Sequence, residues 1–326
     1  MAGDIEVMLR EQLLDRRHKL QDAIPAFSEN AELGRLLHEV DAALERMDTG
    51  VYGLCEACHE PIENDRLIAD PLARLCLDHL TPTQQRVLEE DLELASKIQK
   101  GLLPKPDLSF GGWEIRYHYE PAGIVSGDYC DLITSADGEL YFILGDVTGK
   151  GVAASMLMVH LHAMFRSLIL VGLSLQDLLE RASRVFCEST LPTHYATLVC
   201  GKASGNGEIE ICNAGHLPPV LIRGGVVTTV EASSLPVGVF CDQRFASSTI
   251  RLSRGDTLLL YTDGLSETQD PKGNEYGRER LSRLIAEHQG SSPAELIRAC
   301  LDDLSSFRGH AAMTDDLTIM VVHRTD

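Results

Sequence analysis

Two runs near the start of the chain repeat apolar residues at helical spacing. Ile5, Met8, Leu9, Leu13, Leu20 and Ile24 do so over residues 4–24, and Leu33, Leu36, Leu37, Val40, Leu44 and Met47 over 31–47. The stretch Pro25-Ala26-Phe27-Ser28-Glu29-Asn30 between them predicts an antiparallel helical hairpin with a short polar tip. A Cys-rich segment follows at 51–80. Thr81-Pro82-Thr83 then opens a third helix, with Thr81 as its cap and Pro82 in its first turn. Leu88, Leu92, Ala95, Ile98 and Leu102 form one apolar seam on that helix, too short to be stable as an isolated coiled coil.

Pro104 and Pro106 end the helix, and the apolar period then shortens. Runs at Glu114–Tyr119, Leu140–Leu144, Ala196–Cys200, Ile209–Cys212 and Thr257–Tyr261 read as strands, with helical patterns at 151–170 and 174–190 between them. Strands grouped on either side of a helix pair predict an α+β fold in which a β-sandwich is flanked by helices.

Length and charge narrow the function. At 326 residues, two units are expected. With 29 Lys and Arg against 49 Asp and Glu, the net charge of −20 repels a nucleic-acid backbone and favours divalent cations as partners. The first residues, MAGDIEVMLREQLL, carry charges throughout and lack the features of a signal peptide, so a cytoplasmic protein is expected. The most apolar stretch, Met156 to Leu175, is interrupted by His160, His162 and Arg166. It reads as a buried helix, and no membrane partner is expected. Nine cysteines in such a chain do not suggest a disulfide framework. Cys130, Cys187, Cys200, Cys212, Cys241 and Cys300 have apolar neighbours and read as small core residues.

The other three cysteines form a pattern. Cys55 and Cys58 make a CxxC, and Cys76 and His79 a CxxH, at a separation that suits one tetrahedral structural Zn²⁺ with no open position for catalysis. From Tyr52-Gly53-Leu54-Cys55 through Ile62, Arg66-Leu67, Pro71 and Cys76, the segment and its preceding hairpin resemble the DksA/TraR zinc-finger family over residues 1–80. Two features depart from that family. The last ligand, usually Cys, is His79, and the hairpin is short and lacks the acidic tip pattern.

Aspartates recur beside glycine at the ends of apolar runs in Ser126-Gly127-Asp128-Tyr129, in Gly145-Asp146-Val147-Thr148-Gly149-Lys150-Gly151, and in Tyr261-Thr262-Asp263-Gly264. Met313-Thr314-Asp315-Asp316-Leu317-Thr318 adds two more. Carboxylates at strand ends can converge on one rim of a sheet, and hard oxygen ligands of this kind suit Mg²⁺ or Mn²⁺. The glycine-rich GDVTGKG lacks the spacing of a nucleotide-binding loop, and Lys150 reads as a solvated surface charge. Asn213-Ala214-Gly215-His216 reads as a structural turn closed by His216.

Together with Ile98-Gln99-Lys100-Gly101-Leu102-Leu103-Pro104, Leu235-Pro236-Val237-Gly238 and Tyr276-Gly277, these motifs resemble the metal-dependent protein phosphatases of the protein phosphatase 2C superfamily. The similarity, over residues 84–326, is to the bacterial branch typified by SpoIIE and RsbU. It implies two Mn²⁺ or Mg²⁺ ions, with a third as a further option. In that assignment Asp146 bridges the metals, Val147 offers its carbonyl, and Asp263 and Asp315 bind the first metal. Asp316 is exchangeable with Asp315, and Asp128 stands behind them, holding water or the third metal. Asp128 and Asp146 are the expected catalytic pair. The implied reaction is hydrolysis of phosphoserine or phosphothreonine on a partner protein, such as an anti-sigma-factor antagonist of the STAS type, by activated water without a phosphoenzyme. The apolar seam of the third helix suggests in addition a homodimer regulated through the N-terminal region, with a passive spacer helix as the alternative. The domain boundaries expected are a hairpin at 1–50, a zinc finger at 51–82, a linker helix at 83–104 and a phosphatase domain at 105–326. The alternative is a transcription-associated binding protein that uses the zinc-finger hairpin and carries an inactive phosphatase-like scaffold.

Overall fold

The two N-terminal helical periods become α1 (Ala2–Ala23) and α2 (Ala31–Asp48) in a computed structural model, which describes residues 2–23, 31–135 and 137–326. The tip expected at 25–30 and the apolar Ile24 lie outside the described residues. The helices run antiparallel, since Arg10 meets Asp48 at 2.6 Å and Arg17 meets Asp41 at 4.0 Å. Leu9, Leu13 and Leu20 of α1 share a core with Val40, Ala43, Leu44 and Met47 of α2, and that core also takes in Cys55, Ile62, Leu67 and Cys76 of the Cys-rich segment. A short α3 (Asn64–Ala69) and a single 3₁₀ turn (Leu77–His79) complete this segment.

Helix α4 (Pro82–Leu102) starts with reciprocal capping: the Gln84 N–H donates to Thr81 Oγ1 (3.3 Å) and the Thr81 N–H donates to Gln84 Oε1 (3.1 Å). The chain divides within this helix into two compact units, Met1–Asp91 and Leu92–Asp326. One part of the expected seam is corrected. Ser96 and Gln99 are buried, whereas Ile98 is 56% exposed. A hydropathy pattern misses this because the inward-facing Gln99 is held by polar contacts, described below.

The second unit is a four-layer sandwich. Its strands and helices are β1 (Asp107–Phe110), β2 (Trp113–Glu120), β3 (Asp128–Thr134), β4 (Leu140–Val147), α5 (Gly151–Ile169), α6 (Leu175–Ser189), β5 (Ala196–Ala203), β6 (Glu208–Ala214), β7 (Val220–Arg223) and β8 (Val226–Thr229). They continue with β9 (Ser248–Arg251), β10 (Thr257–Tyr261), α7 (Asp263–Ser266), α8 (Arg278–Glu287), α9 (Pro293–Arg308) and β11 (Leu317–Arg324). One antiparallel sheet has the order β1-β2-β11-β10-β7-β8 and the other β3-β4-β5-β6-β9.

Strand alternation explains the layers. On β4, Leu140, Phe142 and Leu144 face the opposing sheet, while Tyr141, Ile143 and Val147 pack with Met158, Phe165 and Phe186 of α5 and α6. On β11, Met320 and Val322 enter the inter-sheet core, while Leu317, Ile319 and Val321 pack with Leu281, Ile285, Leu296 and Cys300 of α8 and α9. Strands buried on both faces read as continuous apolar runs. The apolar α5 is long enough to cross a membrane by length and composition, but here it is a core helix that buries Ala154, Met158, Leu161, Met164, Phe165 and Ile169. Its Arg166 pairs with Asp131 of β3 through two hydrogen bonds, at 2.8 and 2.6 Å.

The reading of six cysteines as core residues is corrected for two of them. Cys187 and Cys241 are only half-buried and form a disulfide with a Cα–Cα distance of 5.3 Å. They lie far apart in sequence, on the last turns of α6 and in the loop after β8, so their pairing follows from the fold and not from any local motif. Cys130, Cys200, Cys212 and Cys300 are buried thiols.

Candidate metal centre

Pairing within each sheet collects the aspartates. Asp128 opens β3 directly opposite Asp146, near the end of β4. In the other sheet β10 lies beside β11, so Asp263, just past β10, comes next to Asp315 and Asp316, just before β11. The Thr262 N–H donates to the Thr318 carbonyl (3.0 Å) and ties those two ends together. Glycines permit the close approach: a Cβ at Gly264 would lie 2.0 Å from the Asp316 carbonyl oxygen, and one at Gly127 would lie 3.4 Å from the Val147 carbonyl.

The electrostatics of the cluster fit a divalent cation. Burial, followed by the charges of Asp263, Asp315 and Asp316, pushes Asp146 up to about 7. Burial, followed by Asp315 and Glu267, pushes Asp263 up to about 6. Carboxylates that oppose one another's ionisation at one rim are a hard-oxygen donor set whose repulsion a bound Mg²⁺ or Mn²⁺ relieves.

The five aspartates occupy different environments. Asp128 is buried, and burial and Asp146 raise it well above the usual carboxylate range. Its Oδ2 accepts hydrogen bonds from Thr262 (2.9 Å) and Thr318 (2.5 Å). Asp316 turns both oxygens toward backbone N–H groups, of Ala122 and Gly127 (2.8 Å each), and so clamps the loop before β3. Asp315 accepts from Lys150 Nζ at 2.7 Å. Lys150 is 67% exposed, as a solvated surface charge should be, and is also engaged, with a second bond to the Thr314 carbonyl (2.8 Å).

Gln99 holds the other end of that loop. Its side-chain amide donates to the Ser126 carbonyl (2.7 Å) and accepts from the Ser126 N–H (3.0 Å). Ser126 needs no left-handed backbone, since His59 is the one non-glycine residue with positive φ among the described residues. His216 is buried, with Nδ1 at 2.9 Å from Thr197 Oγ1, Nε2 at 3.1 Å from the Tyr261 carbonyl, and its N–H donating to Asn213 Oδ1 (2.9 Å). Burial lowers its pKa to about 4, which keeps the ring neutral.

A cavity of about 310 Å³ opens on Asp146 and Asp263 and is also lined by Thr148, Tyr195, Thr197, His216, Glu267 and Arg278. Asp128, Asp315 and Asp316 do not line it. The latter two border a neighbouring groove with Leu92, Ala122–Val125 and Lys150. Thr262, Thr318, Gln99, Glu267 and Arg278 join the site without having been expected there from the sequence. Thr262, Thr318 and Gln99 sit inside the motifs quoted above, while Glu267 and Arg278 lie just beyond the ends of Tyr261-Thr262-Asp263-Gly264 and Tyr276-Gly277.

In the first unit, ligand atoms of Cys55, Cys58, Cys76 and His79 all lie within 4.8 Å of one another. Cys58 Sγ is 3.9 Å from Cys76 Sγ, and Cys76 Sγ is 3.1 Å from His79 Nδ1. Three thiols and an imidazole at this spacing suit tetrahedral Zn²⁺.

Residues 136–325 match the family described as Stage II sporulation protein E (SpoIIE). Residues 50–78 match the prokaryotic dksA/traR C4-type zinc finger. Phosphoserine phosphatase RsbP of Bacillus subtilis (strain 168) is 30% identical over 241 residues, covering 72% of this chain and 58% of RsbP. Phosphoserine phosphatase RsbU of the same organism is 25% identical over 243 residues, covering 74% of this chain and 72% of RsbU. The chain thus spans less than two thirds of the length of RsbP. The crystal structure of the RsbU and RsbW domains of a Mycobacterium tuberculosis protein is similar with a TM-score of 0.58 and 28% identity, covering 68% of this chain and 62% of that one.

Proposed function

The chain belongs to the SpoIIE family, and from that premise we propose that its second unit is a metal-dependent phosphatase acting on phosphoserine or phosphothreonine of a partner protein. The observation that carries the reading is the convergence of Asp146 and Asp263 on one cavity large enough for a phosphorylated side chain, both raised by burial and by neighbouring carboxylates that include Asp315. Asp146, Asp263 and Asp315 would hold Mn²⁺ or Mg²⁺, with the Val147 carbonyl beside them, and cations bound there supply Lewis-acid stabilisation for phosphoryl transfer to water.

The chain's own residues set up the rest. Thr262 and Thr318 fix the orientation of Asp128, and Asp316 with Gln99 holds the Ala122–Gly127 loop against the β4 rim. Neutral His216 joins the Asn213 turn to the end of β10 and takes no part in proton transfer, because both ring nitrogens have protein partners. RsbP and RsbU are phosphoserine phosphatases by name, which supports phosphoserine as the group attacked, and the partner that would carry it is an antagonist protein of the STAS type.

The zinc unit would act as the regulatory input. A second copy of the chain would pair along α4, where Val87, Leu94 and Ile98 are exposed. The purified full chain should release phosphate from a phosphoserine peptide when Mn²⁺ is added and stop when it is chelated. Equal turnover in excess chelator would contradict the reading.

A further inference from the structure

The cavity at the acidic rim has one exposed cation, and that cation has no partner. Arg278 lines the cavity together with Asp146, Asp263 and Glu267. It makes no ion pair or side-chain hydrogen bond among the described residues, and it is exposed. The other basic groups nearby are committed. Lys150 is bound to Asp315 and the Thr314 carbonyl, and both ring nitrogens of the cavity-lining His216 have partners.

Arg278 is nevertheless placed and not loose. It is the first residue of α8, directly after Gly277, whose φ of 77° suits glycine alone. Two residues further on, Arg280 forms a two-point pair with Asp303 of α9 (2.7 Å for each bond) and lies over the Tyr276 and Phe307 rings. Tyr276, just before Gly277, donates to the same carboxylate (2.6 Å). The first turn of α8 is thus anchored from both sides of Arg278, with Arg280 facing the α9 core and Arg278 facing the cavity.

A phosphomonoester dianion entering this cavity meets carboxylates on a chain of net charge −20, so a fixed protein cation, in addition to any divalent ion those carboxylates hold, favours its binding. A guanidinium is suited to that role, because its planar donors match two phosphoryl oxygens at once. We propose that Arg278 is a substrate-binding residue that takes the phosphoryl group of the substrate through its guanidinium, a role that rests on the phosphatase reading above.

The test uses the full chain with Mn²⁺, in wild-type form and as Arg278→Ala and Arg278→Lys. Binding of inorganic phosphate is measured by calorimetry, and KM and kcat with p-nitrophenyl phosphate and with a phosphoserine peptide. Loss of a charged hydrogen-bond donor is expected to weaken phosphate binding and raise KM for both substrates by about tenfold or more, with Arg278→Lys between the two. The Mn²⁺ titration midpoint and the melting temperature should stay at wild-type values. Phosphate binding of Arg278→Ala equal to wild type overturns the assignment, and a KM raised for the peptide alone overturns it too, because Arg278 would then contact the peptide instead of the phosphate. A wild-type protein that hydrolyses neither substrate and binds no phosphate overturns the phosphatase reading as well. An active wild type with an unaffected Arg278→Ala leaves that reading standing and removes only the role of Arg278.

Discussion

Removing Arg166 should cost the second unit about 2–3 kcal/mol. The Asp131 carboxylate is 0% exposed, and Arg166 supplies two of its hydrogen bonds, at 2.8 and 2.6 Å. Its remaining hydrogen-bond partners are the Leu132 N–H (2.8 Å) and the Tyr129 hydroxyl (3.3 Å), and His162 Nε2 stands 3.8 Å away with its pKa lowered by burial, so Arg166 is the permanent positive charge at this carboxylate. Breaking a buried pair on one side typically costs about 3–5 kcal/mol, because a charge is left uncompensated. The Arg166 side chain is 42% exposed, so solvent already screens part of the attraction and brings the cost to or below the lower end of that range. In a unit of this size, that corresponds to a fall in melting temperature of roughly 5–10 °C.

Urea and thermal unfolding of Arg166→Ala, Asp131→Asn and the double variant measure the effect as a double-mutant cycle. Asp131→Asn removes the charge that Arg166 compensates, so the double variant should be much less destabilised than the sum of the two singles. A coupling below about 0.5 kcal/mol would show that α5 is held by its apolar face alone.

Two further outcomes follow from other parts of the molecule. The His216 pKa, lowered in the fold to about 4 by burial, contributes stability that is present above the ordinary value of about 6.5 and is lost as pH falls toward 4, on the order of 3 kcal/mol in all. Thermal unfolding from pH 7.5 to 4.5 should fall more steeply for wild type than for His216→Asn, and parallel curves would rule this out. Freshly purified protein should contain one zinc per chain, and Cys55→Ser should lose both the metal and the fold of the first unit, since Cys55 sits in its core. Elemental analysis that finds no zinc would end that expectation.

How much of this was legible in the sequence depended on how each residue is recognised. The Cys55, Cys58, Cys76 and His79 spacing and the Asp-Gly motifs were readable because their chemistry is local, and the β4 and β10 runs because strands of this kind carry clear apolar patterns. The hidden features depend on long-range partners. Gln99 breaks an apolar period yet is buried, because it satisfies the backbone of Ser126. Cys187 and Cys241 meet only once α6 and the loop after β8 are folded together. Arg278 directly follows the Tyr276-Gly277 motif, but nothing local in the sequence ties it to the cavity that Asp146 lines, because the two are brought together only by the fold. Asp315 and Asp316 are adjacent and chemically identical in sequence, and only their partners separate them: Lys150 for the first, and the Ala122 and Gly127 N–H groups for the second.

Asp146 and Asp263 are proposed to belong to a divalent-cation centre that hydrolyses phosphoesters. The most direct test of that proposal is the rate of phosphate release from a phosphoserine peptide as a function of Mn²⁺ concentration, compared between wild type, Asp146→Ala and Asp263→Ala, all of matched thermal stability. Mn²⁺-dependent turnover is expected for wild type, with a loss of at least about a hundredfold in each variant, since each removes a charged ligand from the reacting centre. Turnover in both variants equal to wild type at saturating Mn²⁺ would contradict it.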